Sequence, residues 1–161
     1  MGGVTIKLEG IGPISDVLKE ISEEIGDKKT QSKILVPAVR EAMKPVLAMA
    51  KANSPKDTGA LERSLIIEAR RPTRRDRRSK YVTETDTVIA AVTTASGKKL
   101  AKMGIESDAR AIAQEFGSAR NQAHPYLRPA LESMAQSTVN LLSGILARRI
   151  EQFKAKQKWQ N

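Results

Sequence analysis

Residues 125–156 read PYLRPALESMAQSTVNLLSGILARRIEQFKAK. Leu127, Leu131, Met134, Thr138, Leu141, Leu142, Ile145, Ile150 and Phe153 recur at three- and four-residue steps, the spacing of one face of an amphipathic helix. Pro125 or Pro129 falls in the first turn, where a missing N–H costs little. Arg148, Arg149, Lys154, Lys156 and Lys158 fall towards the C-terminal end, where the helix dipole favours cations. A helix of this length must lie against something, and what precedes it decides the fold class.

Working back, Asp108 to Phe116 and Ala101 to Gly104 are weakly helical, with Gly117 and Ser118 ending the segment. Tyr81 to Thr94 is rich in Thr and Val and predicts one long strand, or two with a break at Asp86. Leu65 to Ala69 predicts the strand that pairs with it, and Arg70 to Lys80 is the charged tip or loop between them. Asn53 to Gly59 is dense in turn formers, and Asp57 or Thr58 can cap a short helical turn through Ala60, Leu61 and Ser64. Gln31 to Ala52 carries the stripe Leu35, Val39, Ala42, Val46 and Met49. Pro37 and Pro45 interrupt it and predict a late start, a kink, or both. Ser15 is a plausible cap for a helix from Asp16 to Ile25, stopped by Gly26. Val4 to Leu8 alternates apolar and polar residues as a short strand does.

The pattern is α+β: a small antiparallel sheet with two or three helices packed on it, including a kinked central helix and a long C-terminal helix. Residues 1–161 are expected to form a single domain. Its parts are 1–27 (strand and helix), 28–69 (long helix, turn and strand), 70–97 (basic hairpin and strands) and 98–161 (short helical segment and long helix). Aromatic residues are only 3% of the chain, so the core must rest on aliphatic side chains, which favours helices over a β-sandwich. The absence of cysteine excludes disulfides and thiolate metal sites. No secretory signal and no run long enough to cross a bilayer is visible.

The net charge of +10 is uneven. Residues 1–27 hold two Lys against six acids. Residues 70–80 hold six Arg and one Lys against one Asp, and residues 148–161 five bases against one acid. Such asymmetry points to complementary surfaces or a polyanionic partner.

Evidence for catalysis is thin. His124, the only histidine, precedes Pro125 and reads as a capping or packing residue. Zinc-site spacing, a G-x-S-x-G elbow and a phosphate loop are all missing. Paired acids such as Glu23 with Glu24 read as solvated charge. A nuclease built on acids alone has no marker here and predicts magnesium-dependent cleavage. The expectation is therefore a non-enzyme without cofactor or metal.

Two stretches carry a resemblance. The first is AMAKANSPKDTGALERSL, residues 48–65, and the second is AIAQEFGSARNQAHPYLRPALE, residues 111–132. Together they resemble the gene-ten-like tail-component family of long-tailed bacteriophages, also described as neck or tail-completion proteins. The family pattern is a helix ending in Ala-x-x-x-x-Pro-x-Asp-Thr-Gly-x-Leu-x-x-Ser-Ile, later Glu-Phe-Gly-Thr, then Pro-Phe-Leu-Arg-Pro-Ala opening a final helix. Pro55, Asp57, Thr58, Gly59, Leu61 and Ser64 match its first part. Glu115, Phe116, Gly117, Pro125, Leu127, Arg128, Pro129 and Ala130 match the second. Leu65 stands for Ile, Ser118 for Thr and Tyr126 for Phe. Asp-Thr-Gly alone also occurs in aspartic proteases, but the flanking helices argue against that fold. The resemblance spans about residues 30–150 and leaves the arginine run and the basic tail unexplained.

The resemblance implies a structural virion protein of the neck, assembled in the host cytoplasm as a ring of sixfold symmetry. Its partners would be a head-closure or connector protein and a tail terminator or tail tube protein, with non-specific contact to DNA in the channel and no membrane. Physically, the motif residues read first as keepers of the fold. Phe116 and Tyr126 are expected to anchor the core or a subunit contact. Arg128, placed against the helix dipole, is expected to form a salt bridge with Glu115 or Asp57. Arg70, Arg71, Arg74, Arg75, Arg77, Arg78 and Lys80 are candidates for subunit contact first, DNA contact second and plain surface third. The acidic residues 1–27 are the natural complement for the first of these. The alternative function is a basic nucleic-acid-binding module acting through Arg70–Lys80.

Overall fold

The computed structural model describes residues 11–106 and 110–158. The expected strand at Val4–Leu8 and the start of the helix expected at Asp108 lie outside the described residues.

Helix α1 (Ile11–Glu24) begins earlier than Ser15 implied, with Pro13 in its first turn, where a missing N–H leaves no bond unmade. Helix α2 (Lys28–Ala42) starts at Asp27, whose carboxylate accepts from the backbone N–H groups of Lys29 at 2.8 Å and Thr30 at 3.2 Å. These bonds hold the Asp27 carboxyl below its usual range. A cap satisfying two free N–H groups outweighs the proline that suggested a later start, and Pro37 lies inside α2 without ending it. The kink expected at Pro45 is a break at Met43, after which α3 (Lys44–Asn53) carries Pro45 in its first turn.

A short helix, α4 (Ala60–Ser64), leads into β1 (Leu65–Arg70), which pairs antiparallel with β2 (Ile89–Thr94) from Leu65↔Thr94 to Arg70↔Ile89. The long strand expected over residues 81–94 is thus confined to its last six residues. Thr83 N–H donates to Asp86 Oδ2 at 2.7 Å, and Arg77 donates to the carbonyls of Thr83 and Asp86, so residues 83–86 fold into turns in spite of their β-branched side chains. Helices α5 (Gly97–Lys102), α6 (Arg110–Phe116) and α7 (Leu127–Lys158) follow.

With 32 residues, α7 is about 48 Å long and packs along α3, α2 and α1 in turn. It closes two apolar clusters. In one, Ile145, Leu146 and Ile150 meet Ile21, Ile25, Ile34, Leu35, Ala38 and Ala42. In the other, Tyr126 and Ala130 meet Met43, Val46, Ala50 and Leu65. The stripe of α7 differs from the expected one: Ala130 and Leu146 are fully buried, whereas Leu131 and Leu141 are exposed. The helix turns its small Ala130 towards α3, whose Ala50 is equally buried, and close backbone approach there pushes the larger Leu131 outwards. On the sheet, Leu65, Ile67 and Ala69 share one face with Val92 and Ala90 by register. Ile66, on the other face, packs against Ala95, Leu100 and Ile105.

Candidate functional site

The two motif-bearing stretches of sequence meet in space. Pro55, Asp57, Thr58, Gly59, Ala60, Leu61 and Ser64 from the first line one side of a recess of about 130 Å³, and Ala111 and Gln114 from the second line the other. In the first stretch, Gly59 takes φ +68°, a left-handed conformation that side chains resist. Thr58, rather than Asp57, supplies the local acceptor: its Oγ1 accepts from Ala60 N–H at 3.3 Å. Ser64 Oγ donates to the Leu61 carbonyl at 2.6 Å, closing the short helix before the strand.

In the second stretch Glu115 is the central residue. Its side chain is only 5% exposed, and its carboxylate faces the start of α7. Oε2 accepts from the backbone N–H of Tyr126 and of Leu127, both at 2.8 Å, and Oε1 accepts from that of Arg128 at 3.0 Å. Three free donors of a helix N-terminus are thus satisfied by an acid that comes from a different helix. The negative charge also sits where the dipole favours it. The salt bridge expected between the Arg128 guanidinium and Glu115 or Asp57 is not formed. The backbone N–H of Arg128 takes the carboxylate instead, and its side chain is exposed.

Tyr126 is 1% exposed and anchors the second cluster, and burial followed by the Glu115 charge raises its phenol above the ordinary value. Its hydroxyl donates to the Ala111 carbonyl at 3.4 Å, a second tie between α6 and α7. Phe116 behaves differently. It is 65% exposed and belongs to no core cluster, so it does not anchor the core. Gly117, at φ +77°, reverses the chain so tightly that a Cβ there would stand 3.1 Å from the Ala123 nitrogen. His124 is exposed, and its N–H bonds the Gln114 carbonyl at 2.7 Å. Pro125 and Pro129 are exposed, and Leu127 packs on the second cluster.

Below α6 a second groove, of about 330 Å³, is lined by Met43, Val46, Ala90, Ala91, Val92, Glu115, Phe116, Leu127, Arg128 and Leu131. Successive residues of a strand point to opposite faces, so a groove touching Ala90, Ala91 and Val92 must follow the edge of β2. It lies on the side away from β1, which lends it no residue. That edge has no strand partner among the described residues. Ile112 lies one turn before Phe116 and is also exposed, so α6 presents an apolar strip beside the groove.

At the loop end of the hairpin, beyond the Arg70↔Ile89 pair, the basic segment divides in two. Arg70 reaches Asp76 with both terminal nitrogens, at 2.6 Å and 3.0 Å, and also pairs with Glu68. Asp76 further accepts from Thr73 N–H at 2.7 Å and Thr73 Oγ1 at 2.6 Å. The Arg70 guanidinium, with Thr73 behind it, holds the Asp76 carboxyl far below the usual carboxylate range. Arg77 is likewise turned inward, bonding two carbonyls and lying 3.7 Å from Glu84. Arg71, Arg74, Arg75, Arg78 and Lys80 are exposed, and none of them meets a carboxylate among the described residues. Among the described residues no group of three or more His, Asp or Glu is placed to hold a metal ion. Nor is any helix among them long and apolar enough to cross a membrane.

The sequence profile of a family described as "Bacteriophage HK97-gp10, putative tail-component" matches residues 15–117. The chain belongs to this family. The match takes in the Pro55–Ser64 turn and Glu115–Gly117, and ends before the stretch that opens α7. The resemblance read from the two motifs is thereby established, and with it a place among phage tail components. No curated protein and no solved structure matches the chain.

Proposed function

We propose that this tail component is a structural protein of the phage neck, a ring that joins the head-closure or connector complex to the tail terminator or tail tube. It acts by assembly, not catalysis, and takes its place in the virion at the head–tail junction. The observation that carries the proposal is the groove along the free edge of β2, with Phe116 and Leu131 exposed at its rim. An unpaired strand edge beside an apolar trough accepts an extended segment or strand of a neighbour, which brings its own main-chain hydrogen bonds. A contact of this kind joins one patch to a different patch on the next copy, the head-to-tail arrangement that closes into a ring. A stable contact buries about 800 Å² per partner, so the Ile112–Phe116 strip of α6 would be covered together with the groove.

Light scattering after size exclusion, with electron microscopy of the same fractions, tests this directly. The native chain is expected to form closed rings, sixfold if the family arrangement holds. Because both side chains are exposed, Phe116→Lys with Leu131→Lys should leave the circular dichroism spectrum unchanged and give monomers. Rings that persist in the double variant would rule out the groove as the contact. Phage lacking the native protein should accumulate unjoined heads and tails, and joined particles in its absence would refute the neck assignment.

A further inference from the structure

We propose that residues 71–80 form a preorganised finger that grips the phosphate backbone of duplex DNA. The bland alternative is a solvated loop whose charges act only by their number. The geometry argues otherwise, because the loop spends part of its charge on its own shape. Asp76 collects four donors from Arg70 and Thr73, and Arg77 clamps the carbonyls of Thr83 and Asp86. The carboxylates of the neighbourhood are all taken. Glu68 and Asp76 hold Arg70, Glu84 faces Arg77, and Asp86 holds the Thr83 N–H. On residues 71–80 the outward charged side chains are all cations, Arg71, Arg74, Arg75, Arg78 and Lys80, with the exposed Glu84 carboxylate turned towards Arg77. Tyr81, 76% exposed, stands beside them with the Lys80 ammonium 5.0 Å from its ring centre.

The acidic face expected to receive this loop from a neighbouring copy is largely spent within the molecule. On α1, Glu20 and Glu24 pair with Lys154, and Glu23 lies 3.9 Å from Lys19. Asp27 caps α2. Of the described acids up to residue 27, only Asp16 makes no such contact. Cations with no acid of their own, and little acid offered by a second copy, fit a polyanion better than a protein face. Guanidinium forks match phosphate oxygens, and contacts of this kind read no sequence. The inference is independent of the β2 groove, since no residue of 71–80 lines it.

Fluorescence anisotropy of the full-length protein with a short labelled duplex DNA of mixed sequence tests it, with light scattering on the same samples to follow assembly separately. Five phosphate contacts give a logarithmic salt slope of about −4.5, or a loss of about 500-fold between roughly 50 and 200 mM salt. Arg74→Glu with Arg75→Glu should cost at least about tenfold in affinity. Lys98→Glu with Lys99→Glu, the same change in net charge on exposed residues of α5, should alter it by less than about twofold. Asp76→Asn is the sharpest variant. It makes the loop more positive, so charge alone predicts tighter binding, whereas loss of preorganisation predicts weaker binding. Thr73→Val changes no charge and should weaken binding in the same direction. Tighter binding by Asp76→Asn, equal losses in the two double variants, or equal competition by polyglutamate would each overturn the proposal. Rings that assemble normally while the Arg74/Arg75 variant fails to hold DNA would support it and leave the neck reading untouched.

Discussion

Replacing Glu115 by Ala should be among the most damaging single changes in the chain, although no residue of the apolar core is touched. The loss can be built from three parts. Removing a helix cap costs about 1 kcal/mol. The carboxylate serves three N–H groups, and the two beyond the ordinary cap lose their partner in a largely buried place, at about 1 kcal/mol each. Loss of a negative charge at the positive end of α7 adds about 0.5 kcal/mol, for a total of roughly 3.5 kcal/mol. Glu115→Gln keeps one acceptor oxygen but points an amide N–H at the third donor, so about half the loss is expected, roughly 1.7 kcal/mol. Urea denaturation followed by circular dichroism measures both. With a slope of about 2 kcal/mol per molar, typical of small domains, the midpoint should fall by about 1.7 M for Glu115→Ala. Arg128→Ala is the companion: its side chain is exposed and only its backbone N–H is used, so a change under about 0.5 kcal/mol is expected. A Glu115→Ala loss below 0.5 kcal/mol, or an Arg128→Ala loss equal to it, would refute the reasoning, the latter by restoring the salt bridge.

Three further outcomes follow from the same geometry. Gly59→Ala meets only the left-handed backbone and should cost about 1 kcal/mol, whereas Gly117→Ala also meets the Ala123 backbone and should cost about 2 kcal/mol or more, as read by urea midpoints. Tyr126→Phe gives up one long hydrogen bond and should cost less than about 1 kcal/mol, while Tyr126→Ala empties a fully buried site and should cost about 3–5 kcal/mol, checked by thermal melting. Asp76 has a folded pKa below its unfolded value, so its contribution to the loop is complete above the unfolded value and fades only as pH falls through the folded one. A carboxylate NMR titration should therefore place Asp76 below ordinary aspartates, and Arg70→Ala should move it back towards them.

How legible all this was in the sequence depended on the range over which each residue acts. The long amphipathic run at 127–158 and the turn at Pro55–Gly59 declared themselves through spacing and local chemistry. So did the break ahead of Pro45, because proline's missing N–H is a local fact. The start of α2 was missed because the weight given to Pro37 hid Asp27, an ordinary N-cap just after Gly26. Residues 81–88 were misread because Thr and Val carry strand propensity, while the forces that fold the segment are side-chain bonds from Arg77 and Asp86. Phe116 was expected to anchor the core or a subunit contact because aromatic residues are scarce; it is absent from the core and lies exposed at the groove rim. Glu115 was singled out, but with the wrong partner. A cap normally sits at the residue next to its helix, and nothing local announces one supplied from eleven residues before Tyr126.

The position of α7 also has a bearing on how the subunit is made. Every element it packs against precedes it in the chain, and both large apolar clusters take buried residues from it. During synthesis, then, α1, α2, α3 and the hairpin can meet one another, but the faces that α7 covers stay open until it is made. Helix α7, made after all the elements it packs on, acts as the closing stave, and its first turn is fastened by an acid already in place on α6. A chain cut short before residue 145 keeps the recess, the free strand edge and the arginine loop but lacks the buried residues that complete the first cluster. Such fragments would be left for chaperones and proteases, and only finished copies would reach assembly.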